Sequence, residues 1–482
     1  MKRYHVRFRS LCRMGSILQK CRTAAALSLL LLSFLVGCSS VATQKKFYQP
    51  IVTELRRGNY TDAAKQIEAA REKGKYKNKD RFLYFLDAGL AYHYAGEYEL
   101  SNAKLSLAEE AAEELFTKSF SRALLSVSVL NDNVLEYAGE DYEVLYTNLI
   151  KALNYTALGK HDDALVEVKR ANLKLNLLED KYADVVDQLN QSAREDSNDV
   201  GIEYDFKQVR FYNDAFARYL SMHIYSADNQ PDDARIDYDF LHDAFRTQPH
   251  IYDFSPPLVR YESGQDALLS IVALTGLAPV KEALNLRIRT DKDLNLVQVL
   301  YTDGPKKDSE YGHFALKVNA DYYFKFALPS LALRPTDVQS IRIAVDSSVV
   351  GELHLVEDLD RVAIESFEAR KSIVYLSTIA RAVAKGIAAH KLKKKVDTGG
   401  LEGWLKKAAI DYGADLTENA DLRCSRLLPG RVYVGDFELA TGTYAISVDF
   451  FDSNGDKITT RRFENYVVAS DRLNLIEVVA LQ

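Results

Sequence analysis

The chain has 482 residues, 47% of them apolar and 27% charged. That suffices for two or three folded domains with a sizeable core and excludes a largely disordered or fibrous protein. The formal charge is −6, but the first 37 residues carry seven Lys or Arg and no acid, so the remainder stands at −13 and is a poor match to nucleic acid.

The first element is an apolar run from Ala24 to Val36. Arg13, Lys20 and Arg22 precede it, and it ends in Leu35-Val36-Gly37-Cys38. A cationic start, a short greasy middle and a small residue at the end read as a secretion signal over residues 1–37. At about 13 residues the run is shorter than the roughly 20 a membrane-spanning helix needs. Leu35 suits a plain secretory cut after a small-x-small pair poorly, and a buried structural cysteine fits poorly beside a basic leader and Ser39-Ser40. The last four residues resemble the bacterial lipoprotein signal. The resemblance implies that Cys38 is lipidated with three acyl chains of the palmitate type and becomes the new N-terminus, anchoring the chain stably. Ser39 resembles the pattern that sorts such proteins to the outer membrane, there facing the periplasm. The stretch before Met14 is long, which makes Met14 an alternative start. Residues 38–48 are then a lipidated tether. Cys12 and Cys21 leave with the signal, so Cys424 stands alone; neither an intrachain disulfide nor a Cys-ligated zinc site is expected.

From residue 49 to 250 the pattern is helical, with apolar residues at three and four and almost no proline before Pro231. A motif recurs: Gly58-x-Tyr60-x-x-Ala63 with Ile67 and Ala70, Gly96-x-Tyr98-x-x-Ser101 with Leu105 and Ala108, Gly159-x-His161-x-x-Ala164 with Val168 and Ala171. A degenerate copy is Asn229-x-Pro231-x-x-Ala234 with Tyr238. Gly or Asn ends a helix where φ turns positive. The small residue lets two helices approach, and the larger one fills the groove a turn later. Phe85, Ala88, Gly89 and Tyr92 precede Gly96 at matching offsets, as Ala152 and Tyr155 precede Gly159. This resembles the tetratricopeptide repeat. The spacings of 38 and 63 residues are irregular, so extra helices such as Lys104–Leu124 are expected between copies. The resemblance implies an irregular α-solenoid with a concave partner-binding surface. Tyr84, Tyr92, Tyr94, Tyr142 and Tyr146 are candidates for lining it, core packing being the alternative. An ordinary helical bundle is the competing architecture. Glu109, Glu110, Glu113 and Glu114 read as a solvated helix face rather than a cation site. Asp162-Asp163 and Asp232-Asp233 read as acids complementing helix dipoles.

Residues 251–482 change texture after Pro256-Pro257. Strand-length runs cover Ala267–Leu274, Ala283–Ile288, Leu294–Tyr301, Ala315–Val318, Tyr322–Ala327, Ser340–Asp346 and Val349–Val356. A helical insertion follows at about 361–415, and its basic end at Lys391–Lys395 suits either its own C-terminal dipole or an anionic membrane surface. Arg431–Val434, Thr443–Phe451, Lys457–Val468 and Ile476–Leu481 are strands again. Asp452-Ser453-Asn454-Gly455 is a hairpin turn; it lacks the later Glu of a calcium loop. The fold class is α+β and multidomain: the solenoid, then a β-sandwich or sheet domain with a helical insertion.

The chain also resembles a family of uncharacterised bacterial lipoproteins that join tetratricopeptide-like helices to a β-rich tail. Three stretches carry the likeness: Tyr142-Glu143 through Asn148 and Ala152–Tyr155; Gly276-Leu277-Ala278-Pro279-Val280-Lys281-Glu282; and Ala420-Asp421-Leu422-Arg423 with Leu427-Leu428-Pro429 and Thr441–Tyr444. The family implies location and architecture but no reaction. No Gly-x-Ser-x-Gly, His-Glu-x-x-His or phosphate-binding loop occurs, so no enzyme, cofactor or metal is expected. The expected role is a lipid-anchored envelope scaffold engaging a protein partner. The alternatives are binding of envelope polysaccharide or peptidoglycan through Tyr322, Tyr323, Tyr433 and Tyr444, and a hydrolase whose site is assembled in space.

Overall fold

The computed structural model describes residues 42–123, 136–196, 211–261, 266–291, 293–294, 296–315, 321, 323–368, 371 and 420–482. Cys38, Tyr322 and most of the expected helical insertion lie outside them. Met1–Pro50 and Ile51–Gln482 are two separate units. The first contributes, among its described residues, only the start of the first helix.

The α-helices that precede the strands, among the described residues, are α1 (Ala42–Arg56), α2 (Tyr60–Glu72), α3 (Arg81–Tyr94), α4 (Tyr98–Ala123), α5 (Asp141–Ala157), α6 (His161–Asp196), α7 (Ala215–Ala227) and α8 (Pro231–Thr247); residues 359–368, at the start of the expected insertion, are helical too. Four joints between them share one local device. Gly58, Gly96, Gly159 and Asn229 all have φ between 57° and 77°. At each joint the amide after this residue bonds a carbonyl five residues back, as in Glu97 N to Tyr92 O at 2.9 Å and Lys160 N to Tyr155 O at 2.8 Å. That satisfies carbonyls the helix end would leave unpaired. The small residue five positions on is buried in all four copies: Ala63, Ser101, Ala164 and Ala234. In the Gly96 copy, helix contact is closest where Gly89 of α3 meets Leu105 of α4. A β-carbon on Gly89 would lie 2.5 Å from Leu105 Cδ2.

The extra helix expected at Lys104–Leu124 is not separate. It continues α4, which runs unbroken for 26 residues. No glycine or proline interrupts Tyr98–Ala123 to end it.

Among the described residues three four-stranded sheets follow. The first has the order β12-β1-β9-β8: Asn474–Ala480, Ala267–Thr275, Arg431–Leu439 and His354–Asp358. The second is β11-β10-β6-β7: Lys457–Val468, Gly442–Phe451, Ser340–Val345 and Ser348–Glu352. The third is β4-β3-β2-β5: Glu310–Ala315, Leu296–Tyr301, Val280–Asp291 and Tyr323–Ala332. Among the described residues every pairing is antiparallel except β1 with β12. Leu269, Ile271 and Ala273 of β1 share one apolar cluster with Ile341 and Ile343 of β6 and Phe450 of β10. The intervening β1 residues, Ser270 and Leu274, are buried too. This central strand is therefore covered on both faces, which explains its unbroken apolar run.

The expected strand Val349–Val356 is two strands in two sheets. β7 ends at Glu352 and β8 starts at His354. Between them Leu353 donates its amide to Ile341 O at 2.9 Å and buries its side chain in the shared cluster. A continuous apolar pattern cannot register such a crossing. The expected strand at Ala315–Val318 corresponds to β4, which ends at Ala315, with residues 316–320 outside the described set. The turn at Asp452–Gly455 closes the β10–β11 hairpin, with Asp452 Oδ1 accepting from Asn454 and Asp456 amides at 2.8 Å.

Two glycines separate packing from backbone strain. Gly89→Ala overpacks the α3–α4 contact and should cost about 1–3 kcal/mol. Gly159, at φ 69° with open space around it, should cost about 1–2 kcal/mol as Ala because of left-handed strain. Gly159→Asn should recover most of that loss, since Asn229 holds the equivalent position, whereas Gly89→Asn should recover nothing. Urea midpoints of the four variants decide it; equal behaviour of the two Asn variants contradicts this assignment.

Candidate functional site

The polar chemistry of the described chain concentrates where the helices meet the first sheet. It begins with the irregular segment 420–430, which is almost entirely buried. Such a segment lacks a ladder of its own, so other elements must satisfy its backbone. The Ser425 amide donates to Glu143 Oε1 of α5 at 2.6 Å, and the Ser425 hydroxyl to Asp87 Oδ1 of α3 at 2.8 Å. Leu427 O accepts from Tyr94 Oη at 2.7 Å, and Arg426 O from Arg334 Nη1 at 2.9 Å. Arg423 pairs with Asp80 at 3.1 Å and with Asp421 at 2.7 Å. Cys424 is a free, buried thiol that accepts from the Lys281 amide at 3.3 Å, and burial pushes its pKa up.

Glu143 is the hub of this segment. Its Oε2 also accepts from Tyr137 Oη at 2.7 Å and from the Glu140 amide at 2.9 Å, the latter closing a capping box at the start of α5. Burial, then the neighbouring Glu140 charge, lift its pKa to about 7; the three donors limit the rise.

Three further clusters join helix to sheet. In the first, His93 of α3 lies 2.7 Å from Glu477 of β12 through Nε2 and 2.7 Å from Asn154 Oδ1 through Nδ1. The Asn154 orientation is fixed, because its Nδ2 donates to Asn102 Oδ1 and to Ser101 Oγ, and Ser101 itself donates to Gly89 O. Nδ1 thus faces an amide oxygen, and Nε2 lies beside a carboxylate without a hydrogen bond to it, so the Glu477 contact is one of charge. Burial opposes that charge, but Glu477 and Asn154 hold the pKa above its ordinary value.

In the second, Asp214 caps α7 through the Ala217 amide at 2.7 Å. Nearby, Glu357 of β8 accepts from Tyr252 Oη at 2.7 Å and from the Ala215 amide at 3.1 Å. Asp214 Oδ2, Glu357 Oε1 and Tyr146 Oη are buried without a hydrogen-bond partner. Burial raises Asp214 to about 7, and burial with the Asp214 charge pushes Glu357 well up. The pair is held short of full ionisation.

The third brings Ser270 of β1, His223 of α7 and Asp436 of β9 together. Asp436 Oδ1 lies 3.1 Å from His223 Nε2 and accepts from Tyr219 Oη at 2.8 Å. Ser270 Oγ is 3.4 Å from both ring nitrogens. A hydrolytic triad needs carboxylate and hydroxyl on opposite nitrogens. Equidistance instead places Oγ off both lone-pair directions.

Within the helices, Glu109 departs from the expected solvated face. Glu110, Glu113 and Glu114 are exposed, but Glu109 is buried. Lys151 bridges it to Glu167 at 3.0 and 2.8 Å, and Lys174 reaches it at 2.9 Å. Burial opposes its charge, yet Lys174, Asn148 and Lys151 pull its pKa down to about 2. The three neighbouring glutamates masked this position in the sequence; the clue is its place one residue after Ala108 on the inward stripe.

The five tyrosines fall in different places. Tyr84 is buried and Tyr92 half-buried, and both donate to Glu68, at 2.6 and 3.1 Å. Tyr94, Tyr142 and Tyr146 are buried. Tyr433 lies in the cluster shared by the first two sheets, and Tyr444 packs against it. Among the described residues, no group of three His, Cys, Asp or Glu is placed to hold a metal ion, and no helix is long and apolar enough to cross a membrane. Protein-family models, curated proteins and solved structures yield no match to the chain.

The raised groups set a pH dependence. Glu143, Asp214 and His93 bind protons more tightly folded than unfolded. Their contribution is complete below the ordinary carboxylate range for the acids, and below the ordinary imidazole value for His93, and fades as pH rises through the folded values, near 7 for the two acids and above the ordinary imidazole value for His93. The melting temperature should fall from pH 5 to pH 8. Asp214→Asn keeps the cap and should flatten that slope; an unchanged slope removes Asp214 from the account. Separately, Lys151→Met leaves Glu109 and Glu167 facing each other and should cost about 3–5 kcal/mol in urea unfolding. Adding Glu167→Gln should return part of it.

Proposed function

We propose that the protein is a lipid-anchored scaffold of the bacterial cell envelope, held at Cys38 in the outer membrane, facing the periplasm and presenting its helices to a protein partner. The finer architecture belongs to the same reading: a tetratricopeptide-like solenoid built on the four left-handed joints, and a sandwich of the first two sheets. The shared joints and the common apolar cluster support it. So does the leader with its Leu35–Cys38 ending.

The observation that carries the reading is the direction in which the polar groups point. His93, His223 and Glu357 are buried and join helices to strands, Glu143 joins α5 to the buried segment 420–430, and Asp214 caps α7. Their chemistry makes a rigid frame, and tethering such a frame raises its local concentration near partners in the same envelope.

Cys38→Ala is the test. It should leave the chain unprocessed or release it from the membrane fraction, and it should lower the yield of proteins crosslinked to the full chain in intact envelopes. A variant processed normally and still membrane-bound sinks the anchor; wild-type chain that crosslinks to no protein sinks the scaffold.

A further inference from the structure

We infer that Asp214, Glu357 and Tyr146 form a buried calcium site where α5, α7 and β8 meet, an inference independent of the scaffold reading. Three oxygens there are enclosed and have no hydrogen-bond partner: Asp214 Oδ2, Glu357 Oε1 and Tyr146 Oη. All three residues are 0% exposed. Buried polar atoms are nearly always satisfied, so oxygens left open in one place point to a ligand.

The three come together from separate elements. Asp214 is the N-cap of α7, and Glu357 Oε2 accepts from the amide of the next residue, Ala215, at 3.1 Å. Both carboxylates therefore stand at the start of α7. Tyr146 comes from α5. After burial, the charges that act most on its hydroxyl are those of Asp214 and then Glu357, and they push its pKa well up. The second oxygen of each acid is already committed: Asp214 Oδ1 to the Ala217 amide at 2.7 Å, and Glu357 Oε2 to Ala215 and to Tyr252 Oη at 2.7 Å. These bonds hold both carboxylates in place and leave one oxygen of each open to a ligand.

Charge identifies that ligand. Two carboxylates buried together need a counter-ion. Arg218 of α7 acts on Asp214, but its guanidinium is spent on Asp237 at 2.9 Å and on Asn213 Oδ1 at 2.8 Å. Tyr252 donates a neutral hydroxyl. Asp358, next on β8, adds a further negative charge beside Tyr146 and pairs with Arg431 at 3.5 Å. A water would satisfy the three oxygens and leave the charge, and one proton would remove only half of it. A divalent cation matches both acids. Oxygen ligands select a hard ion, and calcium tolerates irregular geometry where magnesium demands a near-ideal octahedron. With two carboxylates the affinity should lie at roughly 10⁻⁴–10⁻³ M, the range of weak extracellular modules. Burial lifts both acids, Asp214 to about 7, so protons and calcium compete for the same oxygens.

Two measurements test this on the full chain in detergent, freed of metal with EDTA. The first titrates terbium, a calcium analogue whose emission is excited through a nearby tyrosine. At pH 8 saturable emission is expected, displaced by calcium about tenfold more readily than by magnesium. Proton competition at pH 5 should weaken binding about tenfold or more. Glu357→Gln should weaken it by a similar factor and still fold, because its amide oxygen can accept from Ala215 and its amide nitrogen can donate to Asp214. Asp214→Asn, which keeps the cap, serves if that variant does not fold. Terbium on exposed acids is common to wild type and variants. No saturable emission at pH 8, equal binding at pH 5, equal binding by the variant, or displacement by magnesium as readily as by calcium overturns the inference.

The second is the melting temperature at pH 8. Calcium at about 10 mM should raise it by about 2 °C in the wild type and leave Glu357→Gln unmoved. No rise in the wild type, or the same rise in both, overturns the inference and leaves the pair to protons and water.

Discussion

An irregular backbone segment, residues 420–430, sits in the interior with nothing of its own to bond to. Each buried polar group left unpaired would cost about 1–3 kcal/mol. The donors and acceptors that prevent this come from far away in sequence: the Ser425 hydroxyl reaches Asp87, 338 residues earlier, and its amide reaches Glu143, 282 residues earlier. Helices α3 and α5 therefore cannot settle without the segment, nor the segment without them. Closing loops of that length is what slows a fold dominated by non-local contacts. The assembled state gains in return a set of distances that no partial structure reproduces.

The first sheet shows why a polar junction was built where an apolar one would hold as well. One face of β1 presents Leu269, Ile271 and Ala273 to the second sheet. On the strands' other side Ser270, Asp436, Glu357 and Glu477 meet groups from α3 and α7. Burial of an apolar side chain is non-directional, so the apolar face would tolerate small slips. A carboxylate 2.7 Å from an imidazole does not. Buried ion pairs add little net stability over packed apolar residues; what they fix here is the position of the helices on the sheet. The price is sensitivity to protonation, concentrated in acids whose burial already pushes them toward neutrality.

What the sequence disclosed follows from how local each cause is. The glycines at 58, 96 and 159 and the Asn at 229 were readable because a left-handed joint and its small neighbour lie within six residues. The strands β1, β6, β10 and β11 were readable from alternation or an apolar run, and the Asp452 turn from its residues alone. Glu109 was not readable, because its partners Lys151 and Glu167 lie on other helices and its sequence neighbours are solvated. The crossing at Leu353 was hidden for a similar reason: an apolar residue in a strand pattern does not say which sheet it enters. The pairing of His93 with Glu477 joins residues 384 apart in number, and nothing in either neighbourhood announces it. The segment at Ala420–Pro429 carries in sequence only a resemblance; its burial follows from bonds to Asp87, Tyr94 and Glu143, hundreds of residues away.

Adjacent positions on α4 show how the frame leaves a surface free to specialise. Glu109 turns inward to Lys151 and Lys174, and Glu110 faces solvent. Leu105 fills the space against Gly89, and Leu107 is exposed. The inward residues answer to a closed network in which each change strands a partner. Leu107 lies outside that network, so its side chain can change without disturbing the joints or the junction. α4 packs on α3 and α8 on α7, the two helices that meet the sheet through directional contacts, so the outward residues are carried on a positioned layer. A preformed surface loses less conformational entropy on binding than one that must first be ordered. The interior network and the outward residues are thus two consequences of one arrangement: polar groups spent inside position the helices that carry apolar groups outside.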